Sequence, residues 1–194
     1  QATVVRAVPI ALAAMAGIMC ERVAVINIGI EGMMLAGAFA GALFGSIFGS
    51  VLGLLIAIAV GGIFGLMLAL LVVTFRVDQI IAGVAINILV LGLTSFFTSH
   101  LLKKNPHLND TAVFKSIQIP ILADLPIIGP MLFRHNIFVY LAILIVFSTT
   151  FYLFKTAYGL RARAVGEHPK AAETLGISVI KTRFINVIIG GMIA

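Results

Sequence analysis

The sequence predicts an all-α protein, a polytopic transmembrane helix bundle, on three observations. First, 61% of its 194 residues are hydrophobic and only 10% are charged, with a mean hydropathy of +1.19, whereas soluble domains are roughly half apolar and a quarter charged. Second, a membrane-spanning helix needs about 20 apolar residues, and the chain has room for about six spans or part-spans. Third, its 13 Lys and Arg separate the apolar runs, which is typical of topology signals and argues against nucleic-acid binding.

Six apolar runs define the predicted elements in order. The first, Ala7 to Cys20, is short and can extend back to Thr3. The others are Val23 to about Gly49, Val51 to Phe75, Val77 to Leu102, Ile137 to Phe154, and a run that begins near Phe184. Because the sequence starts without Met and stops inside an apolar run, we interpret residues 1–194 as a single transmembrane domain that is incomplete at both ends.

The distribution of cations predicts the orientation. Residues 155–183 carry a dense set of Lys and Arg, so the positive-inside rule places this segment in the cytoplasm. Alternation then puts Arg22 and Arg76 on the same side and the long loop 103–136 outside. That loop contains an apolar stretch, 117–133, which is broken by Asp124 and three prolines and cannot form a straight helix. A docking surface and a plain extracytoplasmic cap both remain open for it.

Glycines recur every fourth residue at Gly37, Gly41, Gly45, Gly49 and Gly53, and again at Gly61 and Gly65. Small residues at this spacing let helices in a membrane approach closely. The ladder predicts tight packing inside one bundle, with a turn near 45–50.

Polar residues inside apolar runs are costly in a membrane and tend to mark pathways. Asn27 and Glu31 are four residues apart and would share one face of a helix, although the glycines that flank Glu31 also permit a broken helix. Gln79 and Asn87 form a second group, next to Asp78, which can cap a helix. For each residue, a hydrogen bond between helices and a place in a substrate pathway are the two alternatives.

The cationic segment predicts a short helix from Pro169 to Leu175. Pro169 suits a first helical position, and Gly176 suits a left-handed residue just after the end. Ser178 would cap the following helix. A short helix held between two spans is a shape that can dock into a partner's groove, and a solvated linker helix is the plainer alternative.

Four stretches resemble one protein family. Ala171-Ala172-x-x-x-Gly176 is similar to the core of the Glu-Ala-Ala loop in permease subunits of bacterial ABC importers, although Lys170 stands where that motif has its Glu. Residues 21–33 (ERxAVINIGIEGM), 78–87 (DQIIAGxAIN) and 158–169 (YGLRxRAVGEHP) resemble the ribose/branched-chain amino acid type of permease, in its nucleoside and simple-sugar branch. The stretches 119–122 and 127–130 are most similar to the nucleoside members.

The resemblance implies a permease subunit of an ATP-driven importer in the bacterial cell membrane, which forms the translocation path for a small polar solute, nucleosides above others. Simple sugars and branched-chain amino acids are the alternative substrates. The implied partners are an ATP-binding subunit, a second permease subunit (identical or homologous), an extracytoplasmic substrate-binding protein and the lipid bilayer. ATP and Mg²⁺ would bind to the ATP-binding subunit, since the chain has no phosphate-binding G-x-x-x-x-G-K-[ST] loop and is not itself expected to be an enzyme.

The site residues follow from the same resemblance. The predicted contacts with the ATPase are Arg161, Arg163, Glu167, Pro169, Ala171, Ala172 and Gly176. The predicted pathway residues are Asn27, Glu31, Gln79 and Asn87. No metal site is expected, because the one cysteine and four histidines are scattered. A secondary transporter or channel is the rival class, but it would need no docking helix; an intramembrane enzyme would need a nucleophile and base that the sequence does not suggest.

Overall fold

The computed structural model describes residues 2–104, 116–118 and 134–194. In chain order the elements are α1 (Ala2–Glu21), α2 (Ile30–Phe48), α3 (Ser50–Ala69, continued by a π-helical turn Leu70–Thr74), α4 (Gln79–Phe97, continued by a π-helical turn Thr98–Leu102), β1 (Ser116–Gln118), β2 (Arg134–Asn136), α5 (Ile137–Lys155), α6 (Ala157–Glu167), α7 (Pro169–Thr174) and α8 (Val179–Ile193).

Five of these helices are long and apolar enough to cross a membrane: α1, α2, α3, α4 and α5. The predicted all-α, polytopic bundle is therefore confirmed. The described part of the loop 103–136 adds a short antiparallel ladder in which Ile117 pairs with His135. The predictions made for Asp124 and the prolines of this loop lie outside the described residues, as do the stretches 119–122 and 127–130.

The predicted helix ends are correct within a few residues, with two exceptions. The second apolar run was predicted to be helical from Val23, but α2 begins only at Ile30, and residues 22–29 are irregular. The last helix begins at Val179 rather than near Phe184, because the Ser178 side chain accepts a hydrogen bond from the Lys181 N–H at 3.3 Å and caps it. The predicted capping role of Ser178 is thus confirmed.

The glycine ladder holds the bundle together as predicted. The turn between α2 and α3 is at Gly49, whose φ of +90° suits glycine, and a Cβ on Gly53 would lie 2.8 Å from the carbonyl oxygen of Gly41. Helix α8 packs between α1 and α3. A Cβ on Gly65 would lie 2.9 Å from the Val187 carbonyl oxygen, so these backbones touch without intervening side chains.

Candidate functional site

The cationic turns meet at one end of the bundle. The guanidinium groups of Arg22 and Arg163 lie over the same ring, that of Phe154, at 5.8 and 5.1 Å from its centroid. The Nε–H of Arg183 donates to the Val23 carbonyl oxygen at 3.1 Å. The turn after α1, helix α6 and the start of α8 therefore share one end, as the positive-inside argument requires. Which side of the membrane that end faces stays a prediction.

Helix α6 folds back against the end of α5 and the turn after α1. The Thr156 hydroxyl caps it by accepting from the Gly159 N–H at 3.1 Å. Two glycines allow the close approach: a Cβ on Gly159 would collide with the backbone of Leu153 at 2.6 Å, and one on Gly166 would collide with the carbonyl oxygen of Arg22. Sequence reasoning did not predict this helix, although the two glycines are the signal for its packing.

Helix α7 matches the predicted short helix closely. Pro169 occupies its first turn, and it ends at Thr174, one residue before the predicted Leu175. Gly176 has a φ of +79°, the left-handed conformation expected of it. The Gly176 N–H donates to the carbonyl oxygen of Glu173 at 3.0 Å, and the Ile177 N–H donates to that of Ala172 at 3.1 Å. The chain thus turns sharply into α8.

The two alanines of α7 do not form one apolar face, contrary to expectation. Ala172 is 2% exposed and packs inward, whereas Ala171 is exposed. Leu175, one helical turn after Ala171, is 80% exposed. The surface that α7 offers to a partner is therefore Ala171 with Leu175, which we call the α7 apolar edge, and Ala172 serves the fold.

The other predicted coupling residues separate into two groups. Arg161 is exposed and lies over the ring of the exposed Tyr158, 5.7 Å from its centroid. Glu167 is exposed at the end of α6. Arg163 is half-buried and points to Phe154 at the end of α5. The structure thus leaves Arg161 and Glu167 accessible with α7 and turns Arg163 towards the helix bundle.

Asn27 and Glu31 do not share a helical face, so this expectation is wrong. Asn27 lies in the irregular segment before α2 and is 8% exposed, while Glu31 is exposed in the first turn of α2. The Asn27 Nδ2 contacts the sulfur atoms of Cys20 and Met33, each at 3.6 Å, and its Oδ1 is buried with no hydrogen-bond partner among the described residues. The alternative of a broken helix, which the flanking glycines suggested, is the one observed.

Gln79 and Asn87 hold this irregular segment against α4. The Gln79 Oε1 accepts from the Ile26 N–H at 2.6 Å. The Asn87 Oδ1 accepts from the Gly32 N–H at 2.8 Å, and its Nδ2 donates to the Ile28 carbonyl oxygen at 3.1 Å. Of the two alternatives for these residues, the structure shows the hydrogen bond between elements. A role in a substrate pathway stays a prediction.

Non-helical backbone at membrane depth is tolerated only where protein or a water-filled cavity satisfies it. Asn87 is eight residues into α4, about 12 Å from its start at 1.5 Å per residue. Residues 22–29 therefore run along the first two turns of α4, and the side chains of Gln79 and Asn87 provide the hydrogen bonds that a helix would have provided internally. Close contact is possible because Gly83 faces Gly29: a Cβ on Gly83 would lie 2.9 Å from the Gly29 nitrogen.

A bundle of apolar spanning helices with a folded helical segment at one end defines a multi-pass membrane protein. All residues, 1–194, match the family described as the branched-chain amino acid transport system / permease component. The chain belongs to this family, which confirms the type of permease inferred from the motifs.

Curated relatives agree with this assignment. The chain is 44% identical to the guanosine ABC transporter permease protein NupQ of Bacillus subtilis, over 98% of this chain and 62% of that protein. It is 37% identical to a putative glucose ABC transporter permease protein, TsgC13, of Haloferax volcanii (98% and 58% covered) and 31% identical to the nucleoside ABC transporter permease protein NupC of Lactococcus lactis (95% and 61%). The chain thus spans about three fifths of the length of these relatives. No solved structure matches it.

Proposed function

We propose that the chain is the membrane-spanning part of a permease subunit in an ATP-driven ABC importer, located in the cell membrane, and that it forms part of the translocation path for nucleosides. The observation that carries this proposal is the 44% identity to a guanosine transporter permease along 98% of the chain. A nucleoside permease from a second bacterium, at 31% identity, supports the same substrate class.

The end of the bundle that carries α6, α7 and α8 supports coupling to a separate ATP-binding subunit. The α7 apolar edge, Ala171 and Leu175, offers a small hydrophobic contact that nothing in the described part of this chain covers. An exposed Leu beside cations such as Lys170 and Arg161 suits a groove of mixed apolar and acidic character. Movement of the motor would be transmitted through Ala172, which ties α7 to the bundle, and this is a change of the rigid-body kind.

The substrate-binding protein and a second permease subunit complete the proposal. The loop 103–136 would receive the binding protein on the opposite side, and the second subunit would close the path. Asn27, Glu31, Gln79 and Asn87 are the proposed polar residues near that path. Of these, the buried Asn27 Oδ1 and the exposed Glu31 have acceptor oxygens that the described residues leave available, which suits the hydroxyl-rich sugar of a nucleoside.

A sugar is the second candidate substrate, because the putative glucose permease is 37% identical to this chain. A nucleoside and a sugar share the hydroxyl groups that the amide and carboxyl oxygens would recognise, and only the base distinguishes them.

Uptake by the complete transporter tests the proposal. The full-length permease would be expressed with the subunits encoded beside it in a strain that lacks its own nucleoside importers, and uptake of labelled guanosine would be measured with unlabelled guanosine, glucose or leucine as competitor. ATP-dependent uptake that guanosine alone suppresses is expected. Suppression by glucose alone would replace the substrate assignment. Uptake without any co-purifying ATP-binding subunit would refute the importer and favour a secondary transporter.

Leu175→Glu tests the coupling surface within the same assay. Because Leu175 is exposed and loses no contact within its own chain, the variant should insert normally but lose most ATP-dependent uptake and most of the co-purifying ATPase. Glu173→Gln, an exposed change on the opposite flank of α7, is the matched control. Equal uptake and equal ATPase recovery for Leu175→Glu and the wild type would contradict docking through the α7 apolar edge.

A further inference from the structure

One face of α5 is an exposed apolar stripe that ends at a pair of arginines. Leu144, Phe147, Phe151 and Phe154 recur at spacings of three and four residues, so they lie on one side of the helix, and all are at least half exposed. Among the described elements α5 packs on α1, α6 and β2, and this stripe points away from them. In a membrane protein such a surface is covered by lipid chains.

At the end of this stripe, two like charges converge instead of repelling each other apart. The guanidinium groups of Arg22 and Arg163 lie 5.8 and 5.1 Å from the centroid of the Phe154 ring. The ring stabilises each cation through its negative face, but it does not neutralise either one. The end of α5 adds a third cation nearby, the exposed Lys155.

No acid of the described chain neutralises the pair. Glu21 and Glu167 lie closest to it in sequence, and both are exposed to solvent without an ion pair to either arginine in the part of the chain that the structure describes. The Arg163 Nε is buried and has no hydrogen-bond partner there. A half-buried guanidinium that lacks an acceptor is costly, so the geometry favours an anion with several oxygens, which a planar fork of N–H donors binds well.

We propose that Arg22, Arg163 and the Phe154 stripe form a binding site for an anionic phospholipid. The acyl chains lie along Leu144, Phe147 and Phe151, and the phosphate lies between the two guanidinium groups at the level of the helix end. A free phosphate would satisfy the arginines but not the stripe, and a neutral lipid would satisfy the stripe but gain less from two cations. This site does not depend on the proposed importer function, because it requires only that the bundle lies in a membrane.

Lipid retention by the purified full-length permease tests the proposal. The protein would be delipidated in a neutral detergent and offered phosphatidylglycerol or phosphatidylcholine with identical acyl chains, and bound lipid would be counted by native mass spectrometry. Each cation near an anionic surface changes affinity by about fivefold, so the double variant Arg22→Gln/Arg163→Gln should lose about 25-fold of the affinity for phosphatidylglycerol and little of that for phosphatidylcholine. Arg76→Gln, an exposed cation at the same end but away from α5, is the charge-matched control and should bind as the wild type does.

Further arms separate the remaining explanations. If the double variant does not fold, Arg22→Gln alone, at an exposed position, should still lose about fivefold. Phe151→Ser should weaken both lipids, because it shortens the apolar stripe. Equal retention of the two lipids by the wild type, or unchanged preference in the arginine variants, would overturn the site. Full competition by millimolar inorganic phosphate would also overturn it in favour of a soluble anion, and loss of ATPase binding without any lipid preference would assign the pair to the motor instead.

Discussion

Replacing Asn87 by Leu removes the side chain that joins α4 to the irregular segment before α2. Helix α2 has no side-chain cap of its own, because Gly29 occupies the N-cap position. The Asn87 Oδ1 accepts from the Gly32 N–H at 2.8 Å, which is one of the first-turn groups without an acceptor inside the helix. Asn87 therefore caps α2 from a neighbouring helix, and it also donates to the Ile28 carbonyl oxygen at 3.1 Å.

The size of the effect follows from these two bonds. Loss of an N-cap acceptor costs about 0.5–2 kcal/mol, and side-chain hydrogen bonds between membrane helices average about 0.6 kcal/mol. The cap is at the upper end of its range, because Gly32 is buried and water cannot easily replace the lost acceptor. We expect Asn87→Leu to lower the free energy of unfolding by about 2 kcal/mol.

Unfolding by SDS in mixed micelles, followed by circular dichroism, measures this change. Thr94→Val is the matched control on the same helix, since the Thr94 hydroxyl bonds only to carbonyl oxygens of its own helix, at 2.8 and 3.2 Å. It should change stability by less than about 0.5 kcal/mol. Equal midpoints for the Asn87 and Thr94 variants would refute the capping role. Loss of transport with unchanged stability would instead favour Asn87 as a pathway residue.

Two further predictions concern glycines. Gly65→Ala should destabilise the bundle by about 1–3 kcal/mol, because its Cβ would lie 2.9 Å from the Val187 carbonyl oxygen, whereas Gly92→Ala, with no atom within 4 Å of its Cβ, should not; the same SDS titration distinguishes them, and a stable Gly65→Ala would contradict the close approach of α3 and α8. Gly176→Ala places a Cβ at a φ of +79° and should cost about 1 kcal/mol locally, seen as faster hydrogen exchange of the α7 amides with no change in the exchange of α3; unchanged exchange would argue against the left-handed turn.

The elements that sequence predicts well are those whose signal is local. Apolar runs bounded by charges gave five spanning helices within a few residues of their ends, and Pro169, Gly176 and Ser178 located α7 and the start of α8. Each of these signals acts through backbone groups no more than a few residues away. The sharing of one end by the cationic turns followed from alternation alone.

What sequence predicted poorly depends on contacts between distant residues. The orientation of Ala171 and Ala172 is set by how α7 packs on α6 and α8, and neighbouring alanines carry no mark of which one faces inward. Helix α6 was missed because its polar composition resembles that of a solvated linker. Its stability comes from Gly159 and Gly166, which let it lie directly on Leu153 and Arg22.

The irregular segment 22–29 is the clearest case of tertiary structure overriding local preference. Its run of Val, Ala and Ile satisfies the criterion for a spanning helix, and helix formation would satisfy its own backbone groups. The chain remains extended because Gln79 and Asn87 supply those hydrogen bonds from 53 to 59 residues away, while Gly29 and Gly83 let the two backbones touch. A helix held open by a few replaceable side-chain bonds can rewind or shift at modest cost, and the buried, unpartnered Asn27 Oδ1 lies inside it. If the permease changes shape during transport, this segment is where the structure makes such a change least costly.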